Sequence, residues 1–126
     1  MAAGAVDVTL STPPDEVWAK VGDFGGVADF FPGIDSFRME GQDRIIGMYG
    51  MEIRERLLSR DETTRTISYS VVEGVPIDSH QATITVVPDG EGSKVTWAYD
   101  VTPDEMAPIF GDTYKAALAS LESNLV

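Results

Sequence analysis

Between residues 34 and 101 apolar residues return at every second position, in six runs separated by turn signals. That period is the mark of half-buried strands, whose successive side chains point to opposite faces. The runs fall at about 34–40, 44–48, 51–59, 64–72, 79–87 and 94–101. Between them stand Gly41-Gln42-Asp43, Tyr49-Gly50 and the segments 60–63, 73–78 and 88–93, all short. Parallel neighbours need a long crossover, so connections this short predict an antiparallel meander. A seventh strand at 5–10 precedes the six, with Val6, Val8 and Leu10 alternating against Asp7 and Thr9.

Two stretches depart from that period. Thr12-Pro13-Pro14-Asp15 starts a helix with a hydroxyl cap, Pro at the first position and an acid at the third. Val17, Trp18 and Val21 give this helix, 13–21, its buried side, and Gly22 stops it. After a turn at Asp23-Phe24-Gly25-Gly26, residues 27–31 form one more short helix that Pro32-Gly33 ends. The second departure is long. Thr102-Pro103-Asp104-Glu105 repeats the start pattern as a capping box, and Phe110, Tyr114, Ala117, Leu118, Leu121 and Leu125 then recur at threes and fours. A helix over 108–125 is about 27 Å long at 1.5 Å per residue, and something broad must cover its apolar stripe.

The expected architecture is α+β. A seven-stranded curved antiparallel sheet wraps around the long C-terminal helix, and two short helices after the first strand close one end. All of it forms one domain, 1–126. Gly111, Ala116, Ala117 and Ala119 make the helix thin, so a cavity between sheet and helix is expected.

Composition narrows the partners. A net charge of −12 repels phosphate backbones and anionic lipid surfaces, which argues against nucleic acid. No run approaches the roughly 18 apolar residues of a membrane span, so no membrane insertion is expected. Met1-Ala2-Ala3-Gly4-Ala5 has no basic leader region, and a cytoplasmic, soluble protein is the expectation. One histidine and no cysteine leave no metal site to predict. No GxGxxG or phosphate loop is present, and no cofactor is expected.

The most informative strand is 51–58. Ile53, Glu55 and Leu57 share one face; Arg54 and Arg56 share the other with Glu52 and Leu58. Arginines turned to water send Glu55 inward. A buried carboxylate needs a partner or a wet cavity, because an unpaired one costs several kcal/mol. Glu55 is therefore either paired internally or at a cavity rim, or it is a ligand-binding or acid/base group. Tyr69 and Val71 point inward on 64–72, and Trp97 and Tyr99 do so on 94–101. With Tyr114 they form either a plain aromatic core or the wall of an apolar pocket. His80 lies where the 73–78 loop re-enters the sheet and reads as a partly exposed loop-end residue; as a base it needs Asp78 or Glu55 beside it.

Several runs carry a resemblance. Pro14-Asp15-Glu16-Val17-Trp18, Val21-Gly22-Asp23-Phe24-Gly25-Gly26, Phe31-Pro32-Gly33-Ile34 and Glu55-Arg56-Leu57-Leu58 resemble the polyketide cyclase/dehydrase branch of the START-like (SRPBCC) helix-grip superfamily. Ser68-Tyr69-Ser70-Val71-Val72-Glu73-Gly74 is similar to plant abscisic-acid receptors as well. Gly33, however, stands at the position of their ligand-binding lysine. Tyr49-Gly50 is too short for their gate, and 73–78 lacks their His-Arg-Leu latch. The resemblance implies a cavity lined by Glu55, Tyr69, Val71, Gln81, Thr83, Trp97, Phe110, Tyr114 and Leu118, to which the strand pattern adds Tyr99. On 79–87 it conflicts with simple alternation, which points Ala82, Ile84 and Val86 inward instead. The function it implies is binding or carrying of a hydrophobic small molecule: a lipid, a polyketide or an aromatic. One alternative is a cyclase or dehydratase with Glu55 as acid/base and Tyr69, Tyr99 or Tyr114 donating to an enolate. Another is a protein-interaction module.

Overall fold

The computed structural model describes residues 2–125. In chain order it contains β1 (Ala2–Leu10), α1 (Pro14–Val21), a 3-10 turn (Phe24–Asp29), β2 (Ser36–Glu40), β3 (Asp43–Met48) and β4 (Met51–Asp61). Then come β5 (Thr66–Glu73), β6 (Ser79–Asp89), β7 (Gly92–Thr102), a second 3-10 turn (Asp104–Met106) and α2 (Ala107–Asn124). The seven strands make one sheet in the order β1-β7-β6-β5-β4-β3-β2, with every pairing antiparallel. The meander is present, and β1 joins it at the far edge by pairing with the last strand.

Short turns set the register. Tyr49 and Gly50 alone join β3 to β4, both with positive φ, +53° and +72°. Two such residues make the tight turn whose twist matches the strands it connects. Two register shifts break the β4–β5 ladder, between Arg54 and Glu55 and between Leu57 and Ser59. Each bulge bends its strand and steepens the local twist, which helps curl the sheet.

The stripe of α2 buries Tyr114, Ala117, Leu118 and Leu121, with Phe110 and Leu125 half-buried at either end. The helix lies over β1 and β7. α1 and the 3-10 turn add Val17, Trp18, Val21, Phe24 and Val27 to the same core. The helix starts differ from the capping boxes expected. Thr102 is still the last residue of β7, opposite Ser79, and neither helix carries a side-chain cap. At α1 it is the Pro13 carbonyl that receives the first amides, those of Glu16 and Val17.

β6 settles its conflict in favour of alternation. His80, Ala82, Ile84 and Val86 are buried; Gln81 is exposed and Thr83 half-exposed. Register gives the reason. Ala82 stands opposite Tyr69 on one side and Tyr99 on the other, and directly opposed residues share a face. Gln81 and Thr83 must then face the convex side, where the Thr83 hydroxyl meets that of Ser68 at 2.8 Å. Neither lines the cavity between sheet and helix.

The thin-helix expectation is also corrected. Ala116 and Ala119 face solvent. The space at Gly111 is taken: a Cβ there, or at Gly4 on β1, would collide with the Tyr99 hydroxyl. Tyr99 fills the gap between helix and sheet that these glycines open.

The convex face of β2–β4 carries a charged lattice. Asp43 receives Arg56 at 2.9 Å and Arg54 at 2.8 Å, Arg54 also reaches Glu40, and Arg38 spans Glu40 and Glu52. Arg56 and Arg54 hold the Asp43 carboxyl down to about 2. With both arginines committed outward, Glu55 between them points into the concave side.

Candidate functional site

Glu55 is buried, and its partner comes from the neighbouring strand. Arg44 on β3 stands directly opposite it, and its Nε donates to Glu55 Oε1 at 2.7 Å. The guanidinium is held on every side. Nη1 donates to the Phe24 carbonyl at 3.1 Å, and the plane lies 4.0 Å from the Phe24 ring centroid and 4.8 Å from that of Tyr69. An arginine so enclosed is a structural cation with little freedom to swing toward a ligand.

The other carboxylate oxygen has a different fate. Arg44 Nε to Oε1 is the only hydrogen bond of the Glu55 side chain within the described residues, yet none of their fully buried side-chain polar atoms lacks a partner. Oε2 must therefore meet open space. That space is a cavity of about 330 Å³ that Glu55 lines.

The cavity lies under the first half of α2, on the β3–β5 side of the sheet that the helix leaves uncovered. Phe110, Thr113 and Tyr114 form its roof; Met48, Ile53, Glu55 and Val71 form its floor. Phe31 closes the inner end, while Val75 and Pro76 of the β5–β6 loop, Met106, Ile109, Tyr49 and Met51 surround the mouth. Tyr49 is 73% exposed and Ile109 56%, so the mouth opens to solvent. Of the lining residues only Glu55 is charged, and no lysine or arginine is among them.

Behind the roof lies a closed polar network. His80 is buried rather than loop-end exposed, because it shares the inward phase of β6 with Ala82. The Val71 amide donates to His80 Nδ1 at 3.1 Å, so the ring proton sits on Nε2 and is donated to the Tyr114 hydroxyl at 2.8 Å. Beside it, the Tyr69 hydroxyl receives the Trp97 indole N–H at 3.2 Å. Trp97 stacks on Tyr114 with centroids 4.3 Å apart. Burial, reinforced by nearby Glu55, pushes the Tyr69 hydroxyl's pKa upward, and burial does the same to Tyr114.

Burial also lowers His80, to about 4. The unfolded imidazole takes up a proton near 6.5 and the folded one only near 4, so acid favours the unfolded chain between those values. This contribution, about 3 kcal/mol, is intact above pH 6.5 and is lost by pH 4. With a single histidine the measurement is clean. Ring ¹⁵N shifts should report an Nε2–H tautomer from pH 8 to below 5 and a midpoint near 4; a midpoint at 6.5 would contradict the buried network.

Of the residues expected to line a cavity, Glu55, Val71, Phe110 and Tyr114 do so. Tyr69, Trp97 and Leu118 are core residues that do not line the cavity, Tyr99 is wedged beside Gly111, and Gln81 and Thr83 are on the opposite face. Arg44 and His80 were not anticipated as part of the site. Arg44 was legible in hairpin arithmetic: a turn made of Tyr49-Gly50 alone pairs Met48 with Met51 and, four steps back, Arg44 with Glu55. Among the described residues there is no cluster of His, Asp and Glu suited to a metal, and no helix long and apolar enough to cross a membrane.

Solved structures of other proteins share the fold. XoxI from Bacillus cereus is 28% identical, with a TM-score of 0.91 over 98% of this chain and 94% of its own. A Thermobifida fusca protein is 30% identical, with a TM-score of 0.82 over 94% and 91%. A START superfamily protein from Mycobacterium smegmatis shares the fold at 15% identity, with a TM-score of 0.81 over 96% and 94%. No protein of curated function matches the sequence. The model of one family, described as polyketide cyclase / dehydrase and lipid transport, matches residues 1–126. By that match and the helix-grip architecture, the chain belongs to this START-like polyketide cyclase / dehydrase and lipid transport family.

Proposed function

We propose that the domain binds a hydrophobic small molecule in the cavity beneath α2 and carries it rather than transforms it. The observation behind this reading is the cavity's wall: apolar side chains almost throughout, with one carboxylate oxygen among them. Its volume of about 330 Å³ is at the small end for ligand sites. At about 30 Å³ for each methylene-sized group, it holds a body of roughly a dozen heavy atoms. A two-tailed lipid would leave most of its mass outside.

The acid/base alternative rests on the same Glu55 oxygen, but it also needs a proton donor across the cavity. The Tyr69 and Tyr114 hydroxyls are engaged in the network behind the wall, and Tyr99 is wedged between Gly4 and Gly111. This arrangement favours binding over turnover, and the presence of a cavity favours a small molecule over a protein partner.

Native mass spectrometry against a panel of fatty alcohols, polyketides and polycyclic aromatics tests the reading. One-to-one complexes are expected. Val71→Phe, which fills the floor, should weaken them at least tenfold while the unfolding temperature stays within a few degrees. Failure of the whole panel to bind the unaltered protein would remove the reading. A polyketide converted by the protein, but not by Glu55→Gln, would replace it with the enzymatic one.

A further inference from the structure

Charge bookkeeping inside the cavity goes further than its shape. Arg44 and Glu55 are a neutral pair, and the arginine is the enclosed partner. What the cavity sees is therefore a single acceptor, Glu55 Oε2, whose negative charge is already balanced from behind. Three consequences follow from elementary electrostatics. An anionic ligand would bring a second negative charge against Oε2 with no cation in the lining to receive it. A cationic ligand would be stripped of water to meet a pair that has no net charge left to offer. A purely apolar ligand would cover Oε2 and leave it without a hydrogen bond, at the cost of an unsatisfied buried acceptor.

A neutral donor escapes all three penalties. The other polar atoms in the lining do not compete. Thr113 donates its hydroxyl proton to the Ile109 carbonyl at 2.8 Å, the Tyr114 hydroxyl is held by His80, and the Tyr49 hydroxyl belongs to an exposed residue at the mouth. We infer that the ligand is an uncharged alcohol or phenol of roughly ten to fifteen heavy atoms, seated with its hydroxyl donating to Glu55 Oε2. This inference deepens the binding reading above and rests on it.

Four probes of one skeleton separate the possibilities on the unaltered protein: naphthalene, 2-naphthol, 2-naphthoate and 2-naphthylmethylammonium, titrated at pH 7 by heteronuclear NMR. The naphthol should bind about 10–100-fold more tightly than naphthalene, the span of a hydrogen bond to a charged acceptor. The naphthoate should bind at least tenfold more weakly than the naphthol, and the ammonium no more tightly than it. A naphthoate or ammonium that outranks the naphthol, or a naphthalene equal to it, overturns the inference and leaves hydrophobic binding standing. Silence from all four overturns both. Arg44→Met combined with Glu55→Leu removes the acceptor without stranding a charge, and should bring naphthol within about threefold of naphthalene. If that variant does not fold, the order of affinities in the unaltered protein still decides.

Discussion

Arg44→Ala is expected to destabilise the fold by about 3–5 kcal/mol, because it leaves the Glu55 carboxylate buried without its partner. Loss of the cation stacked between Phe24 and Tyr69, and of the bond to the Phe24 carbonyl, adds to the deficit. For a domain of this length the drop in Tm should be roughly 10–20 °C, read by calorimetry at pH 7. The decisive control is Arg44→Met with Glu55→Leu. Apolar groups of similar volume replace a buried ion pair at little cost, so the double variant should recover to within about 1–2 kcal/mol of the parent. A single-variant loss below 1 kcal/mol would mean that water reaches the pair freely and that the enclosed geometry does not persist in solution.

Trp97→Ala should be comparably damaging, by about 3–5 kcal/mol in urea denaturation. The indole is 1% exposed, stacks on Tyr114, meets the Phe31 ring edge-on and donates to the Tyr69 hydroxyl. Trp97→Phe separates the contributions. It retains an aromatic face for Tyr114 but loses the indole donor and part of the volume, so a deficit of about 1–2 kcal/mol is expected. Equal losses in the two variants would assign the effect to what both lose, the indole donor and the extra ring volume, and none of it to the aromatic face. Phe31 and Tyr114 line the cavity and Trp97 backs both, so the alanine variant should also bind ligand more weakly.

Most of the architecture was legible because period-two strands and tight turns leave few topologies open. The face of β4 followed from Arg54 and Arg56, which water and Asp43 hold outside. β6 teaches a finer point. Alternation placed Ala82, Ile84 and Val86 inward, whereas a pattern carried over from relatives pointed Gln81 and Thr83 there. The local rule prevailed because Tyr69 and Tyr99, which face inward on either side, admit only one phase for the strand between them. The site itself was half visible. Glu55 declared itself as a carboxylate on an apolar face, but Arg44 could be found only by pairing two strands residue by residue. The fate of the tyrosine hydroxyls was hidden, since no sequence period reports which buried donors satisfy one another. The helix misled in another way: small residues suggested an empty groove, when Gly111 instead accommodates the Tyr99 ring.

The pairing of β1 with β7 bears on how the chain reaches this state. Val6 meets Trp97 across some ninety residues of intervening chain, and closing a loop of that length costs about 4 kcal/mol beyond the fixed term. The outer edge of the sheet therefore waits for the last strand, and β1, made before the other six, has no partner until β7 has been synthesised. Folding dominated by such distant pairings is slower than folding by local contacts, and its unpaired strands are exposed to association in the meantime. On this account a nascent chain truncated before β7 should resist neither protease nor aggregation. Protection should arise in one step, once β7 and α2 are free to close the grip.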